Sequence, residues 1–367
     1  MRKLTLVLCI CLSQLSTSFA YGQTKDPFPV IAYYSGKRPS QVDSFEVEKL
    51  THIIFSFCHL EGARLQVDRA RDTIMIEKLV SLKKRNPDLK VMLSLGGWGG
   101  CATCSDVFSS KENRRVFAES VKELNGYFGT DGIDLDWEYP TIPGYPGHKY
   151  QQSDKKNFTK LVKQLRKTLG KDKEISFAAG GFSRYIDEAV EWKKIMKDVD
   201  RVNLMTYDLV HGFSTSTGHH TPLYSTNQQT ESINNAVEKL IALKVPRRKI
   251  VIGAAFYGRM WEAVADTNTG LYQKGRFKAS IPFKNFASYI SADSGFVYNW
   301  DEVAMAPYSY NPKRQLFVTY DDKRSMSLKT KYAIENGLGG IMFWELTEDT
   351  YNDGLLDAID ENKSMRK

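Results

Sequence analysis

Eight short runs of apolar and β-branched residues, alternating with segments of helical periodicity, constrain this chain more than any other feature. The runs are Val30 to Tyr34, His52 to Phe57, Lys90 to Leu95, Gly132 to Glu138, Ile175 to Gly180, Arg201 to Tyr207, Ile250 to Tyr257 and Gly339 to Trp344. Strands that alternate with helices pair in parallel, and near-continuous apolar strands imply a sheet covered by those helices. Lys111 to Phe128, Lys155 to Leu169 and Thr230 to Leu243 supply helices, with Asp154 or Thr230 near starts and Gly170 near a stop. The predicted fold class is therefore α/β, a (β/α)8 barrel, whose functional residues belong at the C-terminal ends of the strands.

The 367 residues exceed the roughly 250 of a bare barrel. The excess falls between the seventh and eighth runs, where 261–320 is rich in aromatics and holds strand-like stretches such as Gly295-Phe296-Val297-Tyr298 and Gln315-Leu316-Phe317-Val318. Helical periodicity returns from Arg324 to Asn336. The expected organisation is a barrel of 21–260 and 321–367 carrying an insertion, 261–320.

Residues 1–20 read as a secretory signal peptide: Arg2-Lys3, an apolar run from Leu4 to Leu12, then Ser18-Phe19-Ala20. That run is about half the length of a membrane span. An exported protein without a membrane span is the expectation. The formal charge is +8, or 8 − 2 = +6 without Arg2 and Lys3. It is dispersed over pairs such as Lys193 and Lys194 that read as solvated helix faces, which gives nucleic-acid binding no support. Cys101-Ala102-Thr103-Cys104 lies in a Gly-rich loop. In an exported chain these two cysteines favour a small disulfide; a structural zinc would need a second ligand pair, and thioredoxin-like chemistry a different fold. Cys58 then remains as a buried thiol.

The fourth run holds the chemistry. In Asp131-Gly132-Ile133-Asp134-Leu135-Asp136-Trp137-Glu138-Tyr139-Pro140 the apolar residues Ile133, Leu135 and Trp137 alternate with Asp134, Asp136 and Glu138. A period of two puts the three acids on one face of a strand, with Asp131 on the other parity as a brace. A solvated acidic face is the ordinary reading of such a pattern, but Trp-containing apolar partners and a strand that stops at Pro140 argue for a cleft. Carboxyls this close cannot all ionise there, so at least one keeps a proton, as a general acid must. A calcium loop would show a Gly turn and a distal Glu, both missing here, and no metal is expected.

This segment resembles the signature of glycoside hydrolase family 18, the chitinases and their relatives. Ser94-Leu95-Gly96-Gly97-Trp98, Met205-Thr206-Tyr207-Asp208 and Gly340-Ile341-Met342-Phe343-Trp344 resemble three further motifs of that family, in its order. The resemblance implies an α+β insertion walling the cleft and a retaining hydrolysis of β-1,4-linked N-acetylglucosamine. In it Glu138 is the acid and later the base, and the sugar's own acetamido group is the nucleophile. Asp136 would orient the acetamido nitrogen, Asp134 would share its proton, and Tyr207 would complete the catalytic set. Gly97, Met205, Asp208 and Trp344 match motif positions that line the substrate, and Tyr33, Phe57, Trp98 and Arg259 coincide with other cleft positions. Ser94 reads as a partner of Asp134, since no His-Asp pair accompanies it as in a serine nucleophile. Where many relatives carry a Trp after M-x-Y-D, this chain has Leu209-Val210-His211-Gly212-Phe213, with Phe213 as the substitute.

Two other readings stay open at this stage. An endo-β-N-acetylglucosaminidase acting on N-glycans uses related chemistry, and a chitinase-like lectin keeps the barrel but lacks the acid; Glu138 separates the lectin from the enzymes. Chitin or its oligosaccharides is the implied partner, with no cofactor, no partner protein and a monomeric state expected.

Overall fold

The computed structural model describes residues 27–36 and 38–363; the expected signal peptide, 1–20, lies outside them. Eight strands, Val30–Tyr34, His52–Glu61, Lys90–Gly96, Gly132–Asp136, Glu174–Gly180, Arg201–Met205, Ile250–Ala255 and Gly340–Trp344, pair in parallel in chain order. The first strand bonds both the second and the eighth, which closes the barrel.

Alternation along each strand sorts side chains between two cores. Val30, Ala32, Ile133, Leu135, Phe177 and Phe343 point outward into the layer beneath the helices, whereas Ile31, Tyr33, Ile54, Met92, Ala178, Met205, Val251 and Met342 fill the interior. Because Ile133 and Leu135 face out, Asp134 and Asp136 face in. Asp131, of the opposite parity, accepts the Val91 backbone N–H at 2.7 Å and pairs with Lys83 at 2.6 Å, bracing the strand's start.

Three strands stop short of their expected ends. The fourth closes at Asp136, not Glu138, because its neighbour turns away at Gly96 and Gly97, both at positive φ, and leaves Trp137 and Glu138 without a ladder partner. The sixth closes at Met205, not Tyr207. There the Thr206 hydroxyl donates to Gly253 O at 2.8 Å and accepts from Gly253 N at 2.9 Å, replacing the backbone in the ladder. The seventh closes at Ala255, and Tyr257–Glu262 already belongs to a second sheet.

That second sheet is antiparallel, in the order Arg276–Pro282, Tyr257–Glu262, Leu316–Thr319, Ala306–Asn311, Val297–Asp301. It therefore begins at Tyr257, ahead of the expected boundary at 261. Trp261, Tyr308, Tyr310 and Phe317 pack one face, and Met260, Ile281, Leu316 and Val318 the other. The helix expected from Thr230 starts at Ile233, since Ser232 is the residue whose side chain caps it by accepting the Asn235 N–H at 3.1 Å. The helix that leads into the eighth strand, Lys323–Glu335, is opened by a capping box between Asp322 and Ser325. Among the described residues no helix is long and apolar enough to cross a membrane.

Candidate active site

Register puts a polar layer inside the barrel directly under its mouth. Ser94, Asp134 and Ser176 are Cα partners on three adjacent strands, so their inward side chains meet. Asp134 Oδ2 accepts from Ser94 at 2.9 Å and Tyr33 at 3.0 Å; Oδ1 accepts from Ser176 at 2.6 Å and Asn203 at 3.2 Å. Burial raises the pKa of Asp134, while these four neutral donors draw it back. A buried carboxylate ringed by hydrogen bonds can stay ionised without a cation.

One layer up, Asp136 is 4 % exposed and its Oδ1 has no hydrogen-bond partner. Burial, then Glu138, then Asp134, hold its proton affinity well above the ordinary carboxylate value. Glu138, partly exposed beyond the strand, is pushed up to about 7 by burial, with the charge of Asp208 adding to the effect and a hydrogen bond with Tyr139 opposing it. The stack Asp134–Asp136–Glu138 thus retains protons at neutral pH, with one of the retaining groups at the barrel mouth. Tyr207 keeps its phenolic proton, held first by burial and then by the charges of Asp136 and Glu138.

Asp208, at φ 54°, receives Arg259 on both oxygens, at 2.7 and 2.5 Å. Burial would lift its pKa, but His220 and Arg259 outweigh burial and hold the carboxyl well below the usual range. His220 Nδ1 stands 3.7 Å away, beyond hydrogen-bond reach, and burial holds that imidazole below its ordinary value; the two-pronged guanidinium carries the effect.

Aromatic rings line the mouth. Phe57 stacks on Trp344 with centroids 5.6 Å apart and planes at 14°. Gly97 makes room for this pair, since a Cβ there would lie 2.2 Å from the Phe57 ring. An outer shelf is built by Trp98, 49 % exposed, with Tyr145 at 5.6 Å and Phe213 at 6.4 Å. The Cys101 and Cys104 sulfurs are bonded, with Cα atoms 5.2 Å apart, and Cys58 is a buried free cysteine.

Tyr33 and Met205, read from sequence as substrate-lining, sit among the inward-facing side chains against which Trp344 packs. Tyr33, 1 % exposed, donates its hydroxyl to Asp134 and has its ring 6.0 Å from that of Trp344, and Met205, 9 % exposed, packs in the same inner cluster. Ser176, Asn203, Tyr145 and His220 escape the sequence reading. A lone polar residue at an inward position of an apolar run, as in Val202-Asn203-Leu204 or Ile175-Ser176-Phe177, is the signal that flags the first two. Tyr145 and His220 sit in loops and leave no such trace.

The model of glycosyl hydrolases family 18 matches residues 29–349. Chitinase A1 of Niallia circulans is 35% identical over 299 residues, covering 75% of this chain and 42% of its own length, so the chain spans less than half of that relative. A solved structure of a family 18 N-acetylglucosaminidase from Paenibacillus barengoltzii superposes with a TM-score of 0.82 at 36% identity, covering 91% of this chain and 99% of the other. Chitinase ChiA74 from Bacillus thuringiensis gives 0.86 at 27% identity, covering 93% and 70%.

Proposed function

The chain belongs to glycosyl hydrolases family 18, and from that premise we propose that it hydrolyses β-1,4 linkages of chitin or chito-oligosaccharides with retention, the substrate's acetamido group acting as nucleophile. The observation that carries this reading is the pairing of Glu138, protonated up to about pH 7, with Asp136, whose buried Oδ1 lacks a partner.

In the first step Glu138 gives its proton to the glycosidic oxygen as the C–O bond breaks, and the acetamido carbonyl oxygen bonds to the anomeric carbon. Asp136, passing its proton to Asp134, accepts the acetamido N–H at Oδ1 and as a carboxylate offsets the positive charge of the resulting oxazolinium, while the Tyr207 hydroxyl donates to the acetamido oxygen. In the second step the Glu138 carboxylate takes a proton from water, whose oxygen attacks the anomeric carbon and reopens the ring. Two inversions give retention. Trp344 supplies an apolar floor for the sugar face and Asp208 accepts its hydroxyls. The shelf of Trp98, Tyr145 and Phe213 receives the leaving chain.

Partly acetylated chitosan tests the mechanism. Its early products should carry N-acetylated reducing ends of retained configuration, by sequencing mass spectrometry and NMR, and fully deacetylated chitosan should be left uncut. Glucosamine reducing ends or inversion would rule out acetamido participation. The likeness to an N-acetylglucosaminidase along 99% of that chain favours a second reading, release of single sugars, which the same products decide by size. The leader-like residues 1–20 support export.

A further inference from the structure

A fully buried ion pair lies outside the carboxyl stack yet is tied to the backbone on either side of Tyr207 and Asp208. Lys329 and Asp321 are both 0 % exposed at their side chains. The ammonium donates to Asp321 Oδ1 at 2.6 Å and Oδ2 at 2.7 Å, and to Thr221 O and Oγ1, each at 2.7 Å. Asp321 also accepts from Ser325 Oγ at 2.7 Å and from the Ala255 N–H at 3.1 Å, joining the helix Lys323–Glu335 to the end of the seventh strand. The Thr221 hydroxyl donates onward to Thr206 O at 3.0 Å, and Thr206 Oγ1 is locked to Gly253. Leu209 N donates to His220 O at 3.0 Å, so residues 206–209 and 220–221 are zipped together.

Tyr207 and Asp208 are the two residues held inside that zipper, and Asp208 is in the left-handed region, at φ 54°, where a side chain stays put only if its surroundings over-determine it. A surface contact could not supply this; a buried ammonium with every donor engaged can. We propose that Lys329, acting through Thr221 and Thr206, is a positioning residue that sets the placement of Tyr207 and Asp208 against Glu138. The inference rests on the proposed hydrolytic role of those residues.

Charged and titratable neighbours are Asp321 and Asp322 around Lys329, Arg259, His220 and Tyr257 around Asp208, and Asp136, Asp208 and Tyr139 around Glu138. Because Asp208 contributes to the proton affinity of Glu138, displacing it moves the alkaline limb of the rate profile, which a purely structural role would leave alone.

Thr221→Val removes only the hydroxyl, Thr221→Ser restores it, and the paired Lys329→Met, Asp321→Asn change removes the charges together so that neither is left buried alone. Kinetics on a chito-oligosaccharide over pH, with circular dichroism as the folding check, should show Thr221→Val and the paired variant folded, with kcat/KM lower by about tenfold and the alkaline limb displaced, and Thr221→Ser near wild type. If the paired variant does not fold, the two Thr221 variants decide. Unchanged kcat, KM and pH profile, or a loss that Thr221→Ser does not rescue and that leaves the pH profile in place, would overturn the inference. An active Glu138→Gln enzyme in the same series would instead overturn the proposed function.

Discussion

Replacing Glu138 by Gln should stabilise the protein while disabling it, and the stabilisation should depend on pH in a defined way. The native carboxyl titrates at about 7 against an ordinary 4.5, and at about 1.4 kcal/mol per pH unit that difference is worth about 3 kcal/mol. Its sign follows from linkage. Below about pH 4.5 Glu138 is protonated in both folded and unfolded chains and imposes no penalty. Between about 4.5 and 7 the unfolded chain releases its proton while the native chain keeps it, so native stability falls as pH rises, and above about 7 the loss is complete. Gln has no proton to release. Removing the Glu138 charge also lowers the proton affinity of Asp136, which burial and then Glu138 hold up, so the two carboxyls act as one titrating pair.

Thermal melts of wild type and Glu138→Gln run in parallel from about pH 4 to 8 should start together, diverge across the middle of that range in favour of the variant, and then run parallel. The rates complete the test. Wild-type kcat should fall by about tenfold per pH unit above about 7, and the variant should lose about 10² to 10⁴ of activity while still binding oligosaccharide. A melting difference that is flat across the pH range, or a wild-type rate undiminished at about pH 9, would refute the argument that burial keeps this acid protonated.

Asp208→Asn removes a charge that raises Glu138, so its alkaline limb should move to lower pH; the lost two-pronged contact with Arg259 should cost about 1.5 to 3 kcal/mol in denaturant titration, and an unmoved limb would count against the electrostatic link. Alkylation in denaturant without reductant, read by mass spectrometry, should label Cys58 but neither Cys101 nor Cys104, and the double variant Cys101→Ser, Cys104→Ser should keep activity at moderate temperature because the bond closes a short ring.

Local pattern alone settles much of this molecule. Period-two alternation puts Ile133 and Leu135 on one face and Asp134 and Asp136 on the other in any strand, and eight apolar runs between helices leave few architectures besides a closed parallel barrel. Relations across strands are another matter, because inter-strand register and loop paths depend on how distant segments pack. Asp134 meets Tyr33 across 101 positions and Asn203 across 69, and Arg259 reaches Asp208 across 51. No windowed reading of the chain contains those distances. The strand pattern could place acids on a face, but whether a given acid holds its proton depends on burial and on which neutral donors, Ser94 and Ser176 among them, the closed barrel brings against it. Those are properties of the surrounding dielectric and hydrogen bonds, and they come into being only when the eighth strand pairs with the first.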